Sequence, residues 1–208
     1  MPDLPAHRPD PGVRTADRLS VVSRALLVAL ATRGPLENDA LVAATGETGP
    51  EVRSGLEALL RQGLVAEHAA TPTRLGLSTR GRTAAENAIV EERALLGPVL
   101  EAVYREFAPL NQALKRALTA WQQEPSPPQA RELLRVEQAA RPMLDRLAAL
   151  RPRYARLRTA LREAGAGIAA GDTRFVAGLG VESLHSLWWQ LHADLLAVLG
   201  RSRGEDDA

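Results

Sequence analysis

The chain has 208 residues, enough for one large domain or two small ones, and 45% of them are apolar, so a sizeable core can form. Its 26 basic and 25 acidic side chains nearly cancel, which excludes a long-range attraction of the whole molecule to nucleic acid or an anionic membrane. The absence of cysteine excludes disulfides, thiolate metal ligands and thiol nucleophiles. We therefore expect a cytoplasmic protein with no membrane partner.

The N-terminal third begins with a polar, proline-rich segment, residues 1–17, in which we expect a disordered arm rather than a secretory signal. Apolar residues then recur at helical spacing from Leu19 to Thr32, and Gly34 ends this predicted helix. A second helix is predicted over residues 37–45, with Gly46 as its C-cap.

A third helix is predicted from an N-cap at Thr48, with Pro50 in its first turn, to Gly63. Glycine inside a helix costs about 1 kcal/mol relative to alanine, so Gly55 indicates either close packing against another segment or a weaker helix. The predicted inward side chains of this helix are Val52, Leu56, Leu59 and Leu60.

Two short strands are predicted after this helix, at residues 64–67 and 74–77, with a turn that contains Thr71 and Pro72. From Thr83 onwards the apolar pattern is helical throughout. The predicted elements are a long helix over 83–122 that is broken or kinked near Pro98 and Pro109, a loop at 123–128, helices over 128–150 and 152–170, a glycine-rich loop at 171–181, a last helix over 182–199, and a polar tail at 201–208.

The segment from Pro35 to Arg82 contains apolar, turn and cap residues in a fixed order along the predicted helices and strands. They are Leu36, Leu41-Val42, Gly46, Thr48, Val52, Leu59, Gly63-Leu64-Val65 and Leu77-Ser78-x-x-Gly81-Arg82. In this order they resemble the winged helix-turn-helix of MarR-type transcriptional regulators. The resemblance covers about residues 19–90 and does not extend to residues 100–208.

The resemblance implies an N-terminal winged helix-turn-helix, with its short β-hairpin wing, at residues 18–85. The helical pattern that follows predicts a C-terminal helical bundle at 86–200, so we expect a mainly α fold. The resemblance also implies a regulator that binds double-stranded DNA, with the third helix in the major groove. We expect a homodimer, because one such module buries little DNA surface, and the bundle would serve dimerisation, small-molecule sensing or both.

The resemblance assigns the DNA contacts to the third helix, the wing and the start of the long helix. Acidic residues argue partly against it, because Glu47, Glu51 and Glu57 outnumber the basic residues of the third helix. The alternative is a protein-interaction module in which the winged helix docks a partner protein. The expected DNA-binding residues are Thr48, Pro50, Arg53 and Ser54 at the groove and Arg74, Arg80 and Arg82 at the phosphates, with Arg33 also framing the groove.

The last helix carries two histidines and two tryptophans, and its helical periodicity places several polar side chains between the core stripe and solvent. Three interpretations are open: a metal site formed by Glu182, His185 and His192, a small-molecule pocket, or plain packing, which we favour. Asp194 is expected to face solvent. The candidate ligand-binding residues are Tyr104, Trp121, Glu182, His185, Trp189 and His192.

The stretch from Arg151 to Arg162 is rich in arginine and could bind an anion, but a solvated helix face is the favoured interpretation. The sequence contains no nucleophile elbow, phosphate-binding loop or HExxH motif. We therefore expect no enzymatic activity, no catalytic residues, no cofactor and no bound metal.

Overall fold

The computed structural model describes residues 19–202, so the predicted arm at 1–17 and all of the tail beyond Ser202 lie outside the described residues. Within this range the chain is mainly helical, with three helices and a two-stranded hairpin followed by a long helical region, as the sequence predicts. The elements are α1 (Val21–Arg33), α2 (Asn38–Thr45), α3 (Gly49–Arg61), β1 (Val65–His68), β2 (Thr71–Leu77), α4 (Thr79–Gln123), α5 (Pro127–Ala148), α6 (Pro152–Ala169), α7 (Arg174–Ala177) and α8 (Leu184–Leu199).

The winged helix forms around its own apolar core. Gly46 ends α2 in the left-handed conformation at φ 71°, which lets α3 start at an angle to α2. Strands β1 and β2 pair antiparallel, and Leu36 adds two backbone hydrogen bonds to Leu75 on the other side of β2. The core side chains include Leu26, Leu27, Leu41, Val52, Leu56, Leu59, Val65 and Ala85.

Gly55 lies where α3 packs against α1. A Cβ atom at this position would lie 2.8 Å from the Cδ1 of Leu26 and 3.2 Å from the Cγ1 of Val22. The first of the two explanations for a mid-helix glycine is therefore correct, because another segment packs directly against it.

Two details of the N-terminal prediction are wrong. Leu60 is 44% exposed rather than buried, because the inward face of α3 is already filled by residues at the spacing of Val52, Leu56 and Leu59. Strand β2 starts at Thr71 rather than residue 74, so Thr71 and Pro72 belong to the strand and the turn is shorter than predicted.

Helix α4 joins the two halves of the protein. It is continuous over 45 residues, about 68 Å, and neither Pro98 nor Pro109 ends it. Both prolines lie on the exposed side of the helix, so their rings do not disturb the packed face. The start of α4 packs on α1, and the remainder packs on α5 and α8.

The C-terminal half is a helical bundle formed by α4, α5, α6 and α8 around a second apolar core. The segment 171–181, predicted as a loop, contains the short helix α7, which packs between α6 and α8. The fully buried side chains of this core include Leu100, Phe107, Leu133, Leu144, Leu147, Leu161, Leu187 and Leu191.

Candidate nucleic-acid interface and adjoining cavities

Helix α3 presents one face to the core of the winged helix and the other to the outside. Its main contacts are with α1, α2 and β1, and the bundle does not cover it. Leu56 and Leu59 point inwards, because apolar residues recur on this face at helical spacing. The side chains on the outer face are exposed: Pro50, Glu51, Arg53, Ser54, Glu57, Leu60 and Arg61.

The start of α3 is held by a capping box between Thr48 and Glu51. The backbone N–H of Thr48 donates to the Glu51 carboxylate at 3.0 Å, and the Thr48 hydroxyl donates to the same oxygen at 2.7 Å. The hydrogen bonds from Thr48 lower the pKa of Glu51, which stays anionic at neutral pH. The Thr48 hydroxyl, predicted to contact DNA, is therefore already engaged by an acid.

The basic residues of the wing and of the start of α4 are all exposed. Arg74 lies 3.8 Å from Glu37, and Arg82 donates to the Leu77 carbonyl and the Thr79 hydroxyl. Within residues 19–202, Arg80 makes no ion pair. Two of the three predicted phosphate contacts, Arg80 and Arg82, thus carry a charge that no acid of the described chain neutralises.

The outer face of α3 has no net charge. Arg53 and Arg61 balance Glu51 and Glu57, and neither arginine forms an ion pair with any described residue. Glu47, just before the helix, adds a further carboxyl group; burial, followed by the nearby charge of Glu51, raises its pKa. The surface is exposed, but it is not a positive patch.

The α8 shoulder, defined as Glu182, His185, Trp189 and His192, is split by the fold. His192 is buried, with Nε2 at 3.4 Å from the Tyr104 hydroxyl and its ring 5.2 Å from the Phe107 ring. His185 and Trp189 are exposed. Glu182 is exposed and pairs with Arg156.

Two cavities adjoin the exposed part of the shoulder. One of about 200 Å³ lies between α4 and α8 and is lined by Asn111, Trp188, Trp189 and both histidines. The other, about 620 Å³, lies between α8 and the helices α1 and α2, and His185, Trp189 and Glu182 line it. Side chains of the shoulder therefore face the winged helix as well as the bundle.

Trp121, predicted as a partner of the shoulder, lies elsewhere. It lines a separate cavity of about 400 Å³ at the far end of the bundle, with Ile168 and Val176. The prediction was wrong because Trp121 lies about one turn beyond Leu118, the last α4 residue at the histidine cavity, and lines a cavity with residues of α6 and α7 instead of α8. In residues 19–202, no group of three or more His, Asp or Glu side chains is placed to hold a metal ion, so Glu182, His185 and His192 do not form a ligand set.

A buried cluster of charged residues joins α4, α6 and α8. Arg153 of α6 donates from Nε to both carboxylate oxygens of Asp194 on α8 at 3.1 Å, and from Nη1 to Glu92 of α4 at 3.0 Å. Its Nη2 donates to the Tyr154 hydroxyl at 3.1 Å. Burial alone lowers the pKa of Arg153, but the Asp194 and Glu92 carboxylates outweigh this and raise it, so the residue is charged.

Further charged residues surround this cluster. Arg151 donates to Glu92 at 3.0 Å. Arg33 lines the cavity of about 620 Å³ between α8 and the helices α1 and α2, and burial lowers its pKa despite the opposing charge of Asp194. Arg33 therefore faces the bundle and does not frame a DNA groove, contrary to the prediction.

Two sequence predictions fail at this cluster. Asp194 is 4% exposed rather than solvent-facing, and Arg153 is 6% exposed rather than part of a solvated arginine face. One sequence signal could have indicated this arrangement: Glu92 continues the inward positions of Ala85 and Ala88 at helical spacing, where an acid is buried only with a partner.

Arg158 and Arg162 lie nearer to solvent than Arg153, closer to the solvated helix face that the sequence predicts. Arg158 and Arg162 both bond to Asp145 of α5, near the surface of the bundle.

The turn between α2 and α3 contacts the start of α6 at Gly46, since a Cβ atom there would lie 2.5 Å from the Pro152 carbonyl carbon. The turn between α2 and α3 is thus fixed to the bundle, while the outer face of α3 is not.

None of the helices formed by residues 19–202 combines the length and the apolar character that a bilayer crossing needs. Comparison of the chain with protein-family models, curated proteins and solved structures returns no match.

Proposed function

We propose that the protein is a DNA-binding transcriptional regulator of the winged-helix type. The observation that carries the proposal is the outer face of α3, which is exposed and lies outside the contact between the winged helix and the bundle. A helix held in this way by a small scaffold has the dimensions to enter the major groove. Arg53 is exposed on this face, where a guanidinium can reach guanine O6 and N7.

The charges around α3 define how the DNA would be held. Because the outer face of the helix has no net charge, phosphate binding would depend on Arg80 and Arg82 at the start of α4 and on Arg74 in the wing. We expect moderate affinity with a steep dependence on salt, and specificity that rests largely on Arg53.

The test is fluorescence anisotropy with labelled fragments of the host genome at about 50 mM and about 200 mM salt. Arg53→Ala should cost about 1–3 kcal/mol on the preferred fragment and reduce its preference over other DNA. Arg80→Ala should weaken all fragments alike and reduce the salt slope by about 1. Arg131→Ala, on an exposed position of α5, is the matched control and should have no effect.

The proposal fails if no genomic fragment binds at about 50 mM salt. Equal losses for Arg53→Ala and Arg131→Ala would show that α3 is not the contact surface.

A small-molecule effector would bind at the α8 shoulder. The cavity of about 620 Å³ lies between the winged helix and α8, so a ligand there touches both halves. Trp189 offers an apolar wall, and the His185 imidazole offers a polar group that can donate or accept a hydrogen bond. Thermal shifts across a metabolite panel, compared between the native chain and His185→Ala, test this, and no shift with any compound contradicts it.

A second candidate is a protein-interaction module in which the winged helix docks a partner protein. The observation in its favour is that the outer face of α3 balances its charges and exposes Leu60, which suits a protein surface better than a phosphate backbone. Purification from the native host separates the two candidates, because an abundant protein partner without DNA supports the second.

A further inference from the structure

The exposed side of α4 carries an apolar stripe between Val90 and Ala102. Leu95 is 72% exposed, Val90 58% and Val99 46%, and the two positions between them on this side, Ala94 and Pro98, are also exposed. Single exposed apolar side chains are ordinary, but a contiguous stripe on one helix marks an interaction surface.

Opposite charges lie at equal distances on either side of the centre of this stripe. Glu91 precedes Pro98 by seven residues and Arg105 follows it by seven. Seven residues are almost two helical turns, so all three side chains point in nearly the same direction, with each charge about 10.5 Å from Pro98 along the axis.

These two charges are the ones that intramolecular contacts leave available. Arg105 forms no ion pair within residues 19–202, and Glu91 has only an exposed contact with Arg24 at 4.0 Å. The other charged residues of the segment are engaged within the chain: Glu92 with Arg151 and Arg153, Arg93 with the Val198 carbonyl, Glu101 with Arg201, and Glu106 with Arg146.

We propose that the α4 stripe binds the same stripe of a second copy of this chain, in an antiparallel arrangement with the two-fold axis at Pro98. This arrangement places Glu91 of each copy opposite Arg105 of the other, and Ala94 opposite Ala102. A parallel arrangement would place Glu91 against Glu91 and Arg105 against Arg105, so the charges select the antiparallel one.

The side chains at the centre of the stripe suit this packing. Alanine and proline are small, which allows the two helix axes to approach to the lower end of the usual 8–10 Å range. The larger Val90, Leu95 and Val99 then pack beside the contact line. Because the arrangement is closed by a two-fold axis, it stops at a dimer.

The dimer is tested without DNA, so its failure and the failure of the proposed function are distinguishable. Light scattering during gel filtration should give twice the chain mass of 22.4 kDa. Either Glu91→Arg or Arg105→Glu places like charges opposite each other twice per dimer, and each should raise the dissociation constant at least about tenfold.

Combining the two reversals restores opposite charges at both ends of the stripe, so the double variant should dimerise as the native chain does. Arg131→Glu, a matched reversal at an exposed position of α5, should leave the dissociation constant unchanged. Circular dichroism establishes that each variant is folded. A double variant that fails to dimerise, or single reversals without effect, would overturn the proposal.

Cross-linking gives a second, independent measurement, because the chain contains no cysteine. Pro98→Cys places one thiol from each copy next to the two-fold axis, within the range of about 4.4–6.8 Å between Cα atoms that a disulfide needs. Thr119→Cys, exposed on the same helix about 31 Å away, is the control. Oxidation should link the first variant and not the second, and equal linking of both, or of neither, refutes the interface.

Discussion

Replacement of Arg153 by alanine tests how the helices α4, α6 and α8 of the bundle are held together. The Arg153 side chain is 7% exposed and that of Asp194 is 6% exposed, so both charges lie almost entirely out of water. Without the guanidinium, Glu92 keeps the Arg151 bond at 3.0 Å, but the Asp194 carboxylate loses both of its 3.1 Å bonds to Arg153.

The expected cost follows from that uncompensated carboxylate. Removing one member of a buried ion pair typically costs about 3–5 kcal/mol, much more than the pair contributes relative to an apolar replacement. For a chain of this size, about 2–4 °C of melting temperature corresponds to each kcal/mol, so Arg153→Ala should lower the melting temperature by about 6–20 °C.

Urea unfolding measures the loss in the free energy of unfolding, and thermal unfolding measures the fall in melting temperature, both monitored by circular dichroism. The control is Arg146→Ala, which removes an exposed ion pair with Glu106 between α4 and α5 and should cost about 0–1 kcal/mol. The double variant Arg153→Met with Asp194→Leu removes both charges and should recover most of the loss. The reasoning is refuted if Arg153→Ala costs no more than Arg146→Ala, or if the double variant is the less stable of the two.

Three further predictions concern single residues. Burial raises the pKa of Tyr154 above its ordinary 10.0, so the folded protein keeps a proton that the unfolded chain loses, and stability that is complete below this pH falls as the pH rises. Tyr154→Phe should remove a slope of up to about 1.4 kcal/mol per pH unit, measured by urea unfolding between about pH 8 and pH 11. Gly46→Ala should destabilise more than Gly63→Ala in the same assay, because both have φ near +70° but only the first would also collide with Pro152; equal losses would contradict that contact. Glu57→Gln should raise DNA affinity about 2–10-fold in the anisotropy assay by removing repulsion from phosphates, and an unchanged affinity would place the DNA elsewhere.

Local signals in the sequence predicted most elements of the winged helix. Gly46 ends α2 and Thr48 caps α3, as predicted, whereas α4 begins at Thr79, four residues before the predicted start at residue 83. The first two signals are reliable because each depends on backbone geometry within a few residues. Helix boundaries in the bundle also agree with prediction to within a few residues.

The candidate site was less predictable. Periodicity placed His185 and His192 on one shoulder of α8, yet one is exposed and the other is buried against Tyr104 and Phe107. Helical spacing gives the direction of a side chain from its own axis, but the neighbouring helices decide whether that direction leads to solvent. Trp121 illustrates the same limit, since its position along α4 places it in a different cavity.

By itself the sequence determined most of the helical segments and several of their caps, and that a winged helix precedes a helical bundle, because propensity, capping and apolar period are properties of neighbouring residues. Only the tertiary structure decided that Arg153 meets Glu92 and Asp194, which lie 61 and 41 residues away along the chain. It also decided that the outer face of α3 stays exposed while the turn before it is fixed to α6. Pairings of this kind depend on how α4, α6 and α8 pack together, and the burial of a charge is stable only where that packing brings it an opposite partner.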